Sequence, residues 1–204
     1  MSAATDQSAA PAIRSDYLPL LLAPALALLA LPFIGVGPTW VTLTVAGLAM
    51  GMMIFVIASG LTLIFGLMDV LNFGHGAFIA VGAYLSMTVL LPLAPWMHAD
   101  SLTLNLVALL LAALVAMAGA GLLGWAFERV IVMPVYGQHL KQILITMGGL
   151  IVAEQMIHVV WGGEQKPMSL PTALRGAVTF GDVAIEKFRI LAVAVGLAVF
   201  AAMA

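Results

Sequence analysis

Asp69, Asn72 and His75 fall within one short stretch, Gly66-Leu-Met-Asp-Val-Leu-Asn-Phe-Gly-His-Gly76, set between long apolar runs. A carboxylate, a carboxamide and an imidazole this close together can hold a polar ligand, satisfy freed backbone groups or cap helix ends. Gly74 and Gly76 flank the histidine and allow backbone conformations that other residues resist. Ionisable groups at membrane depth are costly, so each is a functional candidate. Non-helical backbone is tolerated there only where it is buried in protein or lines a water-filled path. Two readings follow. In one, Asn72, Gly74, His75 and Gly76 form a helix break that borders a translocation pathway or its gate. In the other, the stretch is a cytoplasmic turn in which Asp69 and Asn72 cap helices and His75 is simply wet.

Glu154 and His158 are a second pair, four residues apart and therefore on one helix face. With Gln155 they make a polar stripe that must face other helices or water. A carboxylate beside an imidazole can relay protons, but two ligands make a poor metal site, and no His-Glu-x-x-His element accompanies them. A hydrogen-bonded interhelical contact is the simpler account. Ser59 lacks a Gly-x-Ser-x-Gly setting and an evident base. The chain has no Walker-type phosphate loop, so ATP, if used, is bound by another subunit. No cysteine is present and the net charge is −2. Disulfides and thiolate metal sites are thereby excluded, and nothing points to a cofactor or to nucleic acid.

The elements that position these groups are membrane helices. Residues 17–68 are 52 consecutive residues without a charged side chain, and 70–99, 101–127 and 190–204 are further charge-free runs. About 20 apolar residues already span a bilayer. Charged residues are 8% of the chain and mean hydropathy is +1.18. The expected fold class is an all-α polytopic bundle of six spans: Tyr17 to Val36, Thr39 to Met68, Ala77 to Leu91, Leu102 to Phe127, Ile143 to Trp161, and one from Phe188 onward. Pro19, Pro24 and Pro32 bend or loosen the first. The second would be roughly 45 Å long, against a hydrocarbon core of about 30 Å. It must tilt, or break near Gly60 or Gly66.

Trp40, Trp96, Trp125 and Trp161 each fall at the end of a span, at headgroup level. Gly47 with Gly51, and Ala120 with Gly124, have the spacing of close helix contacts. Residues 1–16 read as a disordered leader before an uncleaved first helix, and 17–204 as one transmembrane domain. Arg129 and Lys141 place the loop 128–142 in the cytoplasm, and counting back puts the N-terminus, with Arg14, there too. The segment 162–187 is then an outer loop. Its stretch from Ala177 to Ile185, loosely alternating around Gly181-Asp182, suits a small surface hairpin.

Gly60-Leu-Thr-Leu-Ile-Phe-Gly-Leu-Met-Asp-Val-Leu-Asn-Phe-Gly-His-Gly-Ala-Phe-Ile-Ala-Val-Gly-Ala-Tyr84 closely resembles the signature of the LivH-type permeases, membrane subunits of ABC importers for branched-chain amino acids. Phe127-Glu-Arg-Val-Ile-Val-Met-Pro-Val-Tyr-Gly137, Leu144-Ile-Thr-Met-Gly-Gly149 and Val160-Trp-Gly-Gly163 extend the resemblance in the expected order. It implies a transport subunit of the bacterial inner membrane without catalytic residues of its own. It also implies a second, similar permease, two cytoplasmic ATP-binding subunits and a periplasmic solute-binding protein docked on 162–187. Asn72, Gly74, His75 and Gly76 would shape the pathway or gate, with Asp69, Glu154 and His158 as polar interhelical or pathway groups. Many relatives carry an acidic residue after the His-Gly pair, whereas Ala77 follows here. Relatives also continue beyond the sixth span, so the chain is expected to be the N-terminal part of such a permease. A urea or short-amide permease, a membrane-embedded enzyme using Glu154 with His158 or His75, and a non-transporting scaffold fragment are the competing functions.

Overall fold

A computed structural model of the chain describes residues 18–164 and 167–203. The leader 1–16 lies outside the described residues. Helix α1, Leu18–Ile34, and α2, Gly37–Met68, are joined by Gly35-Val36, with Gly35 in the left-handed region (φ 70°), and Pro38 in the first turn of α2 presets its helical backbone. Then come α3, His75–Leu90, the short α4, Ala94–His98, and α5, Leu102–Phe127. Ser101 caps α5, its hydroxyl accepting the Leu104 N–H. Helix α6 spans His139–Trp161, and strands β1, Ala177–Phe180, and β2, Val183–Glu186, precede α7, Lys187–Met203. The antiparallel hairpin pairs Phe180 with Val183, leaving Gly181-Asp182 as its two-residue turn. Gly181 has φ +60°, the left-handed value that a glycine-first hairpin turn requires. An all-α membrane bundle with one surface hairpin is the result.

Several spans differ from expectation for local physical reasons. Helix α2 does not break at Gly60 or Gly66 but runs unbroken for 32 residues. Its break comes after Met68, where Asp69 takes the left-handed conformation (φ 51°) and ends the helix. Helix α3 starts at His75, two residues earlier than Ala77. The loop 128–142 is much shorter than expected. A π-helical turn, Glu128–Val132, and a 3₁₀ turn, Met133–Val135, carry α5 onward, and α6 begins at His139. The π turn starts where the Glu128 N–H is shared between the carbonyls of Gly124 and Trp125. Among the described residues, three helices are long and apolar enough to cross a bilayer by themselves: Gly37–Met68, Leu102–Val135 and His139–Trp161.

Polarity is arranged inside out. The largest fully buried side chains are Gln142, Asn105 and Thr146, while Leu122, Trp125 and Val159 are more than half exposed. Lipid gives apolar side chains no reason to hide, so burial selects small residues for close packing and polar ones for hydrogen bonds. Helix α3 packs mainly on α5 and also on α6, whereas α2 packs on α7, α1 and the hairpin. The glycines used for close approach are not the Gly47 and Gly51 pair, which face open space. Instead Gly119 of α5 admits Leu85 of α3, Gly196 of α7 admits Met52 of α2, and Gly149 of α6 admits Phe127. Phe78 and Phe127 meet edge to face at 5.2 Å, and Tyr84 lies 5.3 Å from Trp161.

Two helix groups result, α1/α2/α7 and α3/α4/α5/α6. They are joined at one end by the linker Asp69–Gly74. At the other end 167–186 touches both groups: Asn105 of α5 accepts the Ala173 N–H, and Thr42 of α2 accepts the Ala184 N–H.

Candidate functional site

The linker exists because α2 stops at Asp69 and α3 restarts at His75, with the turn between them held by side chains. Asn72 is buried, and its Oδ1 accepts the Gly74 N–H at 2.9 Å, folding the backbone toward α3. Gly74 sits where α3, α5 and α6 converge. A Cβ there would lie 3.2 Å from the Phe127 ring and 3.5 Å from the Thr146 carbonyl oxygen. Gly76, by contrast, meets nothing within 4 Å.

His75 reaches back across the junction. Its Nε2 lies 3.3 Å from the Ile57 carbonyl oxygen on α2. A carbonyl only accepts, so the tautomer that makes this bond carries its proton on Nε2 and leaves Nδ1 as an acceptor. The ring fits because position 60 is glycine; a Cβ there would sit 3.0 Å from His75 Cε1. Gly60 is therefore a seat for the imidazole, where the sequence offered it as a helix break.

Asn72 and His75 both line an open cavity of about 560 Å³ whose other walls include Ile57, Leu61, Phe65 and Ile79. A second cavity of about 270 Å³ touches Asn72 from the α5 side and reaches Phe127 and Glu128. Such a space, mostly apolar with few oriented polar groups, suits a small amphiphilic solute.

Asp69 stands outside this cavity. It is exposed and lies 3.9 Å from His139 Nε2 in the first turn of α6, a pairing that contributes little in high dielectric. Glu154 and His158 are exposed on α6, and no salt bridge or hydrogen bond joins them among the described residues. They lie roughly 12 and 18 Å farther along the helix than Thr146, which touches the linker. The structure thus brings Asn72, His75 and Gly76 to one cavity wall, sets Gly74 beside it against Phe127 and Thr146, leaves Asp69 outside, and keeps Glu154 and His158 apart.

Four polar residues complete the junction and its opposite end. Thr146 Oγ1 donates to the Gln142 carbonyl at 2.7 Å and accepts the Phe73 N–H at 3.2 Å, tying α6 to the linker. Tyr136 Oη donates to the Met68 carbonyl at 2.7 Å, satisfying an acceptor freed at the end of α2. Gln142 is fully buried, and neither end of its amide has a partner. An unmet buried amide costs about 1–3 kcal/mol. At the other end Asn105, also fully buried, donates to the carbonyls of Trp96 and Ala99 while accepting from Ala173. Sequence reasoning missed all four. The available signals were an asparagine alone in an apolar run, and a Gln-Thr pair four apart on one face of α6.

Sequence comparison relates the chain to known transport proteins. A family model described as "Branched-chain amino acid transport system / permease component" matches residues 43–204. The high-affinity branched-chain amino acid transport system permease protein BraD of Pseudomonas aeruginosa is 30% identical over 138 residues, covering 68% of this chain and 43% of that protein. The corresponding LivH proteins of Salmonella typhimurium and Escherichia coli are each 27% identical, over 137 and 136 residues and 42% of their length. The chain therefore matches less than half the length of these curated relatives. No solved structure matches it. With the family match spanning 162 of its 204 residues, the chain belongs to the family of branched-chain amino acid transport system permease components.

Proposed function

We propose that the chain is part of a solute-translocating subunit of an ATP-driven importer whose cargo is the branched-chain amino acids. The observation that carries this reading is the placement of Asn72 and His75 between two helix groups, at a cavity of about 560 Å³ with largely apolar walls. Leucine, isoleucine and valine pair an aliphatic side chain with a polar end, which matches walls of Ile57, Leu61 and Ile79 broken by a carboxamide and an imidazole. Urea has no apolar part and would gain nothing from those walls. Asn72, Gly74 and His75 act as the gate, with Gly76 beside them; Asp69, Glu154 and His158 are peripheral polar groups.

Because the chain carries no ATP-binding motif, hydrolysis falls to two cytoplasmic ATP-binding subunits. A second homologous permease and a periplasmic solute-binding protein complete the assembly in the bacterial inner membrane. The positive residues Arg129 and Lys141 lie near the linker end and favour that end as cytoplasmic. The N-terminus is then cytoplasmic as well, and 162–187, held by Asn105, faces the binding protein.

The test is uptake of labelled leucine by proteoliposomes holding the full-length protein with its partner subunits. Uptake should require ATP and resist a large excess of urea. Competition by urea as strong as that by unlabelled valine would replace this cargo with a short amide.

A further inference from the structure

Gln142 presents the least settled polar group of the described chain. Its side chain is 0% exposed, and both Nε2 and Oε1 lack a hydrogen-bond partner. Neither water, lipid nor further polypeptide reaches it unless something that covers it moves. Within the adjoining linker, the N–H groups of Val70, Leu71 and Asn72 have no hydrogen-bond partner among the described residues, although Val70 and Asn72 are 2% and 8% exposed. Thr146, one turn farther along the same face of α6, already accepts the Phe73 N–H and lies 3.4 Å from the Leu71 carbonyl oxygen. Gln142 therefore continues a polar row that runs beside the linker. A carboxamide offers both a donor and an acceptor, the complement of an extended backbone segment. Gln142 lies on α6 between His139, 3.9 Å from Asp69, and Thr146, which accepts the Phe73 N–H. Buried polar groups are paired in native states, so an unpaired amide and unpaired linker N–H groups placed side by side call for a second arrangement that pairs them.

We propose that Gln142 is a positioning residue for the linker Asp69–Gly74, and that the linker shifts to a second position in which its backbone hydrogen-bonds the Gln142 amide. The linker is where the α1/α2/α7 group joins the α3/α4/α5/α6 group, so relative movement of the groups concentrates there. In the present position Thr146 and Asn72 hold the linker and Gln142 stands unmet; in the second, Gln142 takes over. The purpose of the shift, opening and closing the cavity beside Asn72 and His75, rests on the translocation reading above. The shift itself does not.

The chain contains no cysteine, so paired spin labels can be placed cleanly. Phe73 on the linker and Leu140 on α6 are 51% and 73% exposed and serve as label sites after Phe73→Cys and Leu140→Cys. The full-length protein with its partner subunits, in bilayers with and without ATP, should show two inter-label distances whose populations respond to nucleotide. Gln142→Leu, similar in volume but unable to bond, should collapse them to one and lower leucine uptake about ten-fold at unchanged KM. Gln142→Met replaces it if the leucine variant fails to assemble. A single distance in the otherwise native protein under every condition would overturn the proposal, as would two distances that persist unchanged in Gln142→Leu. Two distances that collapse in the variant, in a protein that imports no leucine, would leave the proposal standing and remove the cargo reading alone.

Discussion

His75 shows how one residue's surroundings decide its use. The sequence brought it together with Asn72, but not with the carbonyl it meets, because Ile57 belongs to another helix and only the turn of the linker brings the first residue of α3 back to α2. Gly60 was legible as a glycine and not as a seat, since its neighbour is 15 positions away in sequence. Gly60→Ala separates the two roles. Alanine gains up to about 1 kcal/mol of helix preference over glycine, and loss of the displaced histidine's bond costs about the same. The melting temperature in detergent should therefore hardly change. Leucine uptake should fall several-fold, because the ring leaves its seat at the cavity wall. An unchanged uptake would mean that the position of His75 is irrelevant to transport.

Helix existence was read well from hydropathy, as were both ends of α5 and the last residues of α2 and α6, but the starts of α3 and α6 were not. Apolar runs announce a span, but where these two start depends on groups outside the run. The turn held by Asn72 starts α3 at His75 rather than Ala77, and the π and 3₁₀ turns after Phe127 shorten the loop so that α6 starts at His139. The hairpin around Gly181-Asp182 was legible because its turn is local. The clasp at Asn105 was not, because its partners Trp96, Ala99 and Ala173 come from three separate segments. Asn105→Ala leaves those groups unpaired within a thin core. The variant should lose about 2 kcal/mol or more in reversible denaturation. Proteolysis of the folded protein should become fastest within 163–176 while the helices remain intact. Cleavage starting elsewhere would show that the clasp does not hold the segment before the hairpin.

Taken whole, the described residues bury Asn72, Asn105, Gln142 and Thr146 and leave most of their leucines exposed, as expected of a protein whose solvent is lipid. The resemblance visible in Asn72-Phe-Gly-His-Gly76 pointed to the permease family, and the family match over residues 43–204 agrees. What the sequence could not convey is the division into two helix groups with a polar junction at one end and a clasp at the other, since that division arises from packing between distant helices. The role proposed for this junction is control of solute passage. It is tested most directly by leucine uptake in proteoliposomes containing the assembled importer with His75→Leu, which keeps the side-chain bulk and removes its hydrogen bond to Ile57. The account predicts that uptake falls about ten-fold or more while membrane insertion and subunit assembly stay intact. Uptake at the native rate would contradict it and return the motif to the role of a turn between two helices.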